Sequence, residues 1–118
     1  AVVICPSNPF ISIEPILAVP GLRAAIKACG APVVAVSPIV GGRAVKGPTA
    51  KMMQELGLPV SSAAVAARYG ELLDGYVVDA GDADGIRSKA HVAPTLMTTL
   101  EDREALARAV LDFADRLR

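Results

Sequence analysis

Residues 2–17, VVICPSNPFISIEPIL, constrain the fold more tightly than any other stretch. An apolar, β-branched run of Val2, Val3 and Ile4 stops at Pro6. A small polar turn of Ser7, Asn8 and Pro9 follows, and a helix-compatible segment begins near Ser12. Strand, tight polar loop and helix, in that order, build the edge at which open α/β sheets hold ligands, beyond the carboxyl ends of their strands. Backbone N–H groups at such a helix end lack intrahelical partners and suit anionic oxygen. Pro9 and Pro15 restrict the turn, while Ser7, Asn8 and Ser12 offer hydroxyl and amide groups. The same residue types also make a good turn with no ligand role.

The rest of the chain repeats this grammar. From Pro15 to Gly30 the pattern is helical, with Ile16, Leu17, Leu22, Ile26 and the alanines as an apolar stripe. Pro20 interrupts it and is expected near the first position of a restarted helix, and Gly30 is a natural terminator. Pro32 to Val36 is short and wholly apolar, as a buried parallel strand is. The two strands and the helix between them form a right-handed βαβ unit.

A second polar loop, SPIVGGRAVKGPT, spans residues 37–49 and leaves the end of that strand. In a parallel sheet it emerges on the same edge as Ser7–Pro9. Its first residue, Ser37, is a candidate contact there. Gly41 and Gly42 permit positive φ or close approach of a ligand to the backbone. Arg43 and Lys46 supply positive charge suited to phosphate. Gly47 and Pro48 are expected as N-cap and first residue of a helix holding Met52, Met53 and Leu56. The spacing from Gly42 to Gly47 imitates the start of a P-loop, but Pro48 and Thr49 stand where that motif needs Lys and Ser or Thr. The alternative for this loop is a flexible basic surface turn.

Gly57 closes that helix, and Ser61 or Ser62 caps the next, which runs toward Tyr69. Leu73 to Asp79 reads as a third strand. The acidic run DAGDADG, residues 79–85, matches only the middle of an EF-hand loop. Aligned that way, Ala80 takes the first ligand position and His91 the twelfth, so a solvated turn is expected. His91 falls in a fourth strand with no second His nearby, as a surface or satisfied histidine does. The last stretch, TTLEDREALARAVLDFADRLR, is the clearest helix. Thr98 and Glu101 have capping-box spacing. Leu106, Val110, Phe113 and Leu117 make its stripe. Glu104 with Arg108 and Asp112 with Arg116 are i,i+4 pairs on a solvated face.

Composition narrows the class. With 118 residues this is one domain or part of one. The chain is 53% hydrophobic but only 3% aromatic, so its core is built from Val, Ile, Leu, Ala and Met rather than from stacking platforms for bases. Formal charge balances at zero with no basic block, against a nucleic-acid partner. No apolar run is long enough to span a membrane, and the start lacks the pattern of a signal peptide. Cys5 and Cys29 form no CxxC and are expected as small reduced core residues of a cytoplasmic protein. The expected fold class is therefore α/β, a mostly parallel sheet with flanking helices.

Several motifs then occur in one order: PSNPFISIEPILAVPGLRAAI, VVAVSPIVGGRAVKGPTAKMMQELG, LLDGYVVD and a later TLM. Together they resemble the 2-phospho-L-lactate transferase family, which acts in making the deazaflavin coenzyme F-420. The resemblance covers nearly the whole chain. It implies a Rossmann-like fold and equates residues 1–118 with the C-terminal part of a larger doubly wound domain, without the family's Gly-rich N-terminal half. The implied reaction is a GMP-releasing transfer. The terminal ribityl hydroxyl of the deazaflavin Fo attacks the phosphorus bearing lactyl, or in some bacteria enolpyruvyl, in a guanosine diphosphate-linked donor. Such a transfer calls for in-line positioning and stabilisation of phosphate charge, commonly with Mg²⁺. The acidic metal ligands are expected outside this chain, and no catalytic residue is assigned within it. Substrate contacts are expected from Ser7, Asn8, Pro9 and Ser12 on one loop and from Ser37, Gly41, Gly42, Lys46 and Gly47 on the other, with Lys46 as the phosphate-charge candidate. Self-association into a homo-oligomer is also expected. The competing readings are a nucleotide-sugar-binding regulatory module of the same superfamily and a non-catalytic scaffold.

Overall fold

The computed structural model describes residues 1–118. In chain order the elements are β1 (Val2–Ile4), a wide helical turn (Pro9–Ile13) continuing into α1 (Glu14–Leu17), α2 (Leu22–Ala28) and β2 (Val33–Val36). A small hairpin of β3 (Ile39–Val40) and β4 (Arg43–Ala44) precedes α3 (Thr49–Glu55) and α4 (Ser62–Tyr69). A 3-10 turn (Gly70–Leu72) then leads to β5 (Gly75–Val78), β6 (Lys89–Val92) and α5 (Leu100–Arg116). The sheet is four-stranded and wholly parallel, in the order β1-β2-β5-β6. Val2 lies opposite Val33, Val34 opposite Gly75 and Gly75 opposite Lys89. This is the α/β, Rossmann-like architecture that the sequence pattern implies.

The central strands β2 and β5 are buried at every position, which is why they read as unbroken apolar runs. Their side chains alternate between two layers. Val33, Ala35, Tyr76 and Val78 face Leu17, Met53, Val65 and Tyr69 of α1, α3 and α4. Val34, Val36 and Val77 face Leu106, Val110 and Phe113, so α5 alone covers the second face. Burying each of those large α5 side chains contributes about 1.5–3 kcal/mol. Gly75 explains how the helix comes so close. A Cβ there would lie 2.6 Å from Phe113 Cε1 and 2.7 Å from Leu117 Cδ1.

Several local expectations shift. Val19 accepts a backbone hydrogen bond from Leu22 at 3.1 Å, closing a tight turn with Pro20 and Gly21 at its centre. Gly21, at φ 82°, supplies the positive angle such a turn requires. The helix therefore restarts at Leu22, two residues beyond Pro20, and no residue of α2 is fully buried. Of the expected stripe only Leu17 is buried, and Ile16 is exposed. Cys5 and Cys29 are not core residues; both are free and exposed, Cys5 because it lies just past the end of edge strand β1. The third strand is shorter than Leu73–Asp79: it spans Gly75–Val78, and the flanking Asp74 and Asp79 turn their carboxylates to Val33 N–H and to Thr95. Pro48, rather than Gly47, is the N-cap of α3, whereas Ser61 caps α4 as expected. No single helix is long and apolar enough to cross a membrane.

The cap of α5 is displaced by one residue for a chemical reason. Thr99 and Asp102 form the capping box, and the Asp102 carboxylate also accepts from the Thr98 hydroxyl at 2.7 Å and the Thr98 N–H at 3.0 Å. One carboxylate thus serves both threonines, which Glu101 in the other frame does not do. Of the expected helix pairs, Glu104–Arg108 forms at 3.4 Å. Arg116 instead lies over Phe113, which stacks on His91 at 5.1 Å between ring centroids.

Two predictions follow from these contacts. Gly75→Ala drives a methyl into Phe113 and Leu117 and should destabilise the fold by about 1–3 kcal/mol, read from urea unfolding. The Thr98 hydroxyl, then the Thr99 and Thr98 N–H groups, hold the Asp102 carboxyl at about 2, below its ordinary 3.8. Its contribution to α5 should be complete above the ordinary value and be lost as pH falls through about 2. Carboxyl titration by NMR should give that depressed midpoint, and Asp102→Asn should remove this part of the acid sensitivity.

Candidate functional site

Because all four strands run parallel, the segments leaving β1, β2, β5 and β6 emerge at one edge. Three of them enclose a cleft of about 460 Å³, within the usual size of a small-molecule site. The loop after β1 supplies Ser7, Asn8 and Ser12, the loop after β2 supplies Ser37, Lys46, Gly47 and Thr49, and the loop after β6 supplies Thr95. A larger hollow of about 750 Å³ beside Lys27, Pro32 and Asp74 lies at the amino edge, away from this convergence. No acidic side chain lines the cleft, and Lys46 is its one cation. Lys46 is exposed and forms no ion pair within the chain.

Six of the nine expected contact residues therefore meet here: Ser7, Asn8, Ser12, Ser37, Lys46 and Gly47. They are not equivalent. The Asn8 carboxamide oxygen accepts from Phe10 N–H at 2.8 Å and Ile11 N–H at 3.2 Å. Ser12 N–H and Ile13 N–H donate to the Asn8 carbonyl. The N–H groups of the first helical turn, expected to be open to an anion, are thus already satisfied by Asn8. Ser37 is likewise committed to the frame. Its hydroxyl lies 2.7 Å from that of Ser62 and accepts from Ile39 N–H at 3.1 Å. Beneath it Tyr76 is fully enclosed, and burial pushes its phenol well above the ordinary tyrosine value. By contrast, the hydroxyls of Ser7 and Ser12 make no hydrogen bond within the chain, and with Lys46 they are the groups free to meet a ligand.

The other three expected contacts lie off the cleft lining. Pro9 is buried under the turn that it starts. Gly41 and Gly42 form the two-residue tip of the β3–β4 hairpin, with φ of 58° and 72°. Such a tip needs positive φ at both positions, hence the glycine pair. Their N–H groups do not face the cleft ligand space. They donate to the Asp82 carboxylate, at 2.8 Å from Gly41 and 3.2 Å from Gly42.

This corrects the reading of residues 79–85 as a solvated turn. Asp82 grips the hairpin, and Asp79 accepts from the Thr95 N–H at 2.9 Å and hydroxyl at 3.2 Å. Both acids are committed to internal bonds, Asp79 to the lining residue Thr95 and Asp82 to the hairpin beside the cleft. Thr49 and Thr95 are lining residues that the sequence reading missed. For Thr95 the available signal was its place just beyond a fourth parallel strand. A further tie was invisible in sequence. Arg68 of α4 pairs with Glu14 through two bonds of 2.6 and 2.9 Å and stacks over Phe10, fixing the helical turn that carries Ser12. Glu14 holds the guanidinium above its ordinary value, against a smaller opposing effect of burial. No three His, Cys, Asp or Glu side chains gather where they could hold a metal ion.

Fold and cleft together define an α/β protein with a polar, singly cationic cleft at the carboxyl edge of a parallel sheet. Residues 1–113 match the model of the family described as 2-phospho-L-lactate transferase CofD, and the chain belongs to that family. It is 44% identical over 126 residues to a phosphoenolpyruvate transferase of Streptomyces griseus, which covers 99% of this chain and 39% of that protein. It is 43% identical over 120 residues to a 2-phospho-L-lactate transferase of Methanosarcina acetivorans, covering 97% of this chain and 38% of that protein. A phosphoenolpyruvate transferase of Mycolicibacterium smegmatis is 40% identical over 121 residues, covering 96% of the chain and 36% of that protein. The chain spans less than two-fifths of the length of these relatives.

The hydrogen bonding separates frame from free groups by experiment. Asn8→Ala removes a cap that serves two N–H groups and should cost about 1 kcal/mol in urea unfolding, whereas Asn8→Asp should retain most of the stability. Ser7→Ala breaks no bond within the chain and should leave the unfolding midpoint unchanged.

Proposed function

We propose that this chain forms the guanosine diphosphate end of the active site of a transferase in coenzyme F-420 biosynthesis. The reaction moves a 2-phospholactyl or phosphoenolpyruvyl group from a guanosine diphosphate-linked donor to the deazaflavin Fo. The ribityl hydroxyl oxygen bonds to the phosphorus that carries the lactyl or enolpyruvyl group. The bond from that phosphorus to the bridging oxygen breaks, GMP leaves, and the hydroxyl proton is lost. Negative charge builds on phosphate oxygens in such a transfer, so fixed donors and cations around the diphosphate lower the barrier.

The observation that carries this reading is the meeting of the uncommitted Ser7 and Ser12 hydroxyls with the unpaired Lys46 ammonium in one acid-free cleft, in a chain of this family. Lys46 suits a phosphate as a mobile point charge, and the hydroxyls suit phosphate or ribose oxygens. Asn8 and Ser37 serve by holding the loops in shape. Mg²⁺ belongs to the proposed reaction, but the acids of this chain near the cleft bond to backbone and threonine, and no step is assigned to the metal here. The proposed setting is cytoplasmic, with copies of the chain associating.

Calorimetric titration with GDP, with and without Mg²⁺, tests the binding. Micromolar affinity, about 8 kcal/mol, is expected. Lys46→Ala should weaken it at least about tenfold, the scale of one hydrogen bond to a charged group, and Ser7→Ala by less. Release of GMP when donor and Fo are supplied separates a transferase from a nucleotide-binding regulator. A folded protein that neither binds GDP nor releases GMP would overturn the proposal.

A further inference from the structure

The run Asp79–Ala80–Gly81–Asp82 leaves the carboxyl end of β5, inside the sheet, and ties a lining residue of the cleft to the hairpin beside it. At one end Asp79 holds Thr95, a lining residue on the β6 side, through its N–H and its hydroxyl. At the other end Asp82 holds the hairpin tip through Gly41 N–H and Gly42 N–H. The run is itself folded tightly, with Asp82 N–H donating to the Asp79 carbonyl at 3.2 Å and Ala80 N–H to the Asp79 carboxylate at 2.9 Å. The base of the hairpin is anchored by buried Ile39, whose N–H donates to the Ser37 hydroxyl at 3.1 Å, by the two-residue ladder and by Val45 N–H on the Pro38 carbonyl at 3.3 Å, whereas the exposed tip of Gly41 and Gly42 has its N–H groups on Asp82. Lys46 lies two residues beyond the end of β4, so the position of its ammonium depends on how the outer part of the hairpin sits.

We infer that Asp82 is a positioning residue for ligand binding: its carboxylate clamps the Gly41–Gly42 tip and thereby places Lys46 in the cleft. The inference rests on the proposed diphosphate site and adds a residue that never touches the ligand. The chemistry requires a carboxylate. Two adjacent N–H donors meet two acceptor oxygens, and an amide can offer only one acceptor while turning its own N–H₂ toward the second donor. Asp82→Asn is therefore nearly isosteric but should release one side of the tip. Asp82→Glu keeps both oxygens on a longer arm and should restore part of the function. The clamp lies on a half-buried surface loop outside the core, so neither change should unfold the protein.

The test uses the longest natural polypeptide that carries this sequence, with GDP as probe. Asp82→Asn should weaken GDP binding about fivefold or more while the thermal midpoint stays near that of the unaltered protein, and Asp82→Glu should recover part of the loss. In turnover, KM for the donor should rise by a similar factor with kcat within about twofold, as expected when binding is lost equally from ground and transition states. Amide exchange at Gly41 and Gly42 should accelerate in Asp82→Asn, and combining it with Lys46→Ala should add little to Lys46→Ala alone. Unaltered GDP affinity in Asp82→Asn, or full additivity with Lys46→Ala, overturns the clamp while leaving the diphosphate site intact. Absence of GDP binding by the unaltered protein overturns the site, and the clamp with it.

Discussion

Burial of β2 and β5 on both faces is the constraint from which the rest of this structure follows. A strand enclosed on both sides has to be apolar at every position, and helices must cover each face. Here α1, α3 and α4 take one face and α5 alone takes the other. With the strands parallel, each return has to cross over, and the polar loops are forced to one edge. The cleft is thus a by-product of packing, whose chemistry depends on which loop residues are left without internal partners.

That last condition divides the polar residues of the edge sharply. Carboxylates and amides near the cleft are consumed internally: Asn8 by its own helical turn, Asp79 by Thr95, Asp82 by the hairpin tip. Each leaves backbone donors satisfied that a loop at a sheet edge otherwise exposes to solvent. The groups remaining free are small hydroxyls and one ammonium. An acid-free cleft holding one cation is matched to an anionic oxygen ligand on electrostatic grounds alone, since an anion entering it meets no like charge.

Much of this was legible in the sequence, and the limits are instructive. Strand positions, the α5 stripe and the convergence of the loops after β1 and β2 follow from local periodicity and the parallel rule. The errors fall where a residue's fate is decided by a distant partner. Of the two roles the sequence permits for Gly41 and Gly42, positive φ or close approach of a ligand, the structure shows positive φ, but their N–H groups carry no sequence letter, and the carboxylate they meet lies about forty residues away. The acidic run 79–85 departs from a calcium loop by its spacing, yet nothing local shows that Asp79 and Asp82 tie the loops around the cleft. Cys5 looked like core because it extends an apolar run, and it is exposed because β1 is an edge strand. The α5 cap moved by one residue because two Thr-x-x-acid frames overlap, and the shorter acid serves both threonines.

Similarity to both phosphoenolpyruvate and 2-phospho-L-lactate transferases, at 44% and 43% identity, fits the chemistry of the cleft. In the two donors proposed above, lactyl and enolpyruvyl groups differ in the saturation of their carbon skeleton, whereas the diphosphate beside them is the same. Hydroxyls and an ammonium address phosphate and ribose oxygens, which both donors share under the proposed function. Such a cleft gives little differential binding between the two, and selectivity arises only from differential binding. Under the proposed function, discrimination between the donors therefore has to come from groups that meet the three-carbon acid itself. Lys46 and the hydroxyls of Ser7 and Ser12 are suited instead to the part of the donor that does not vary.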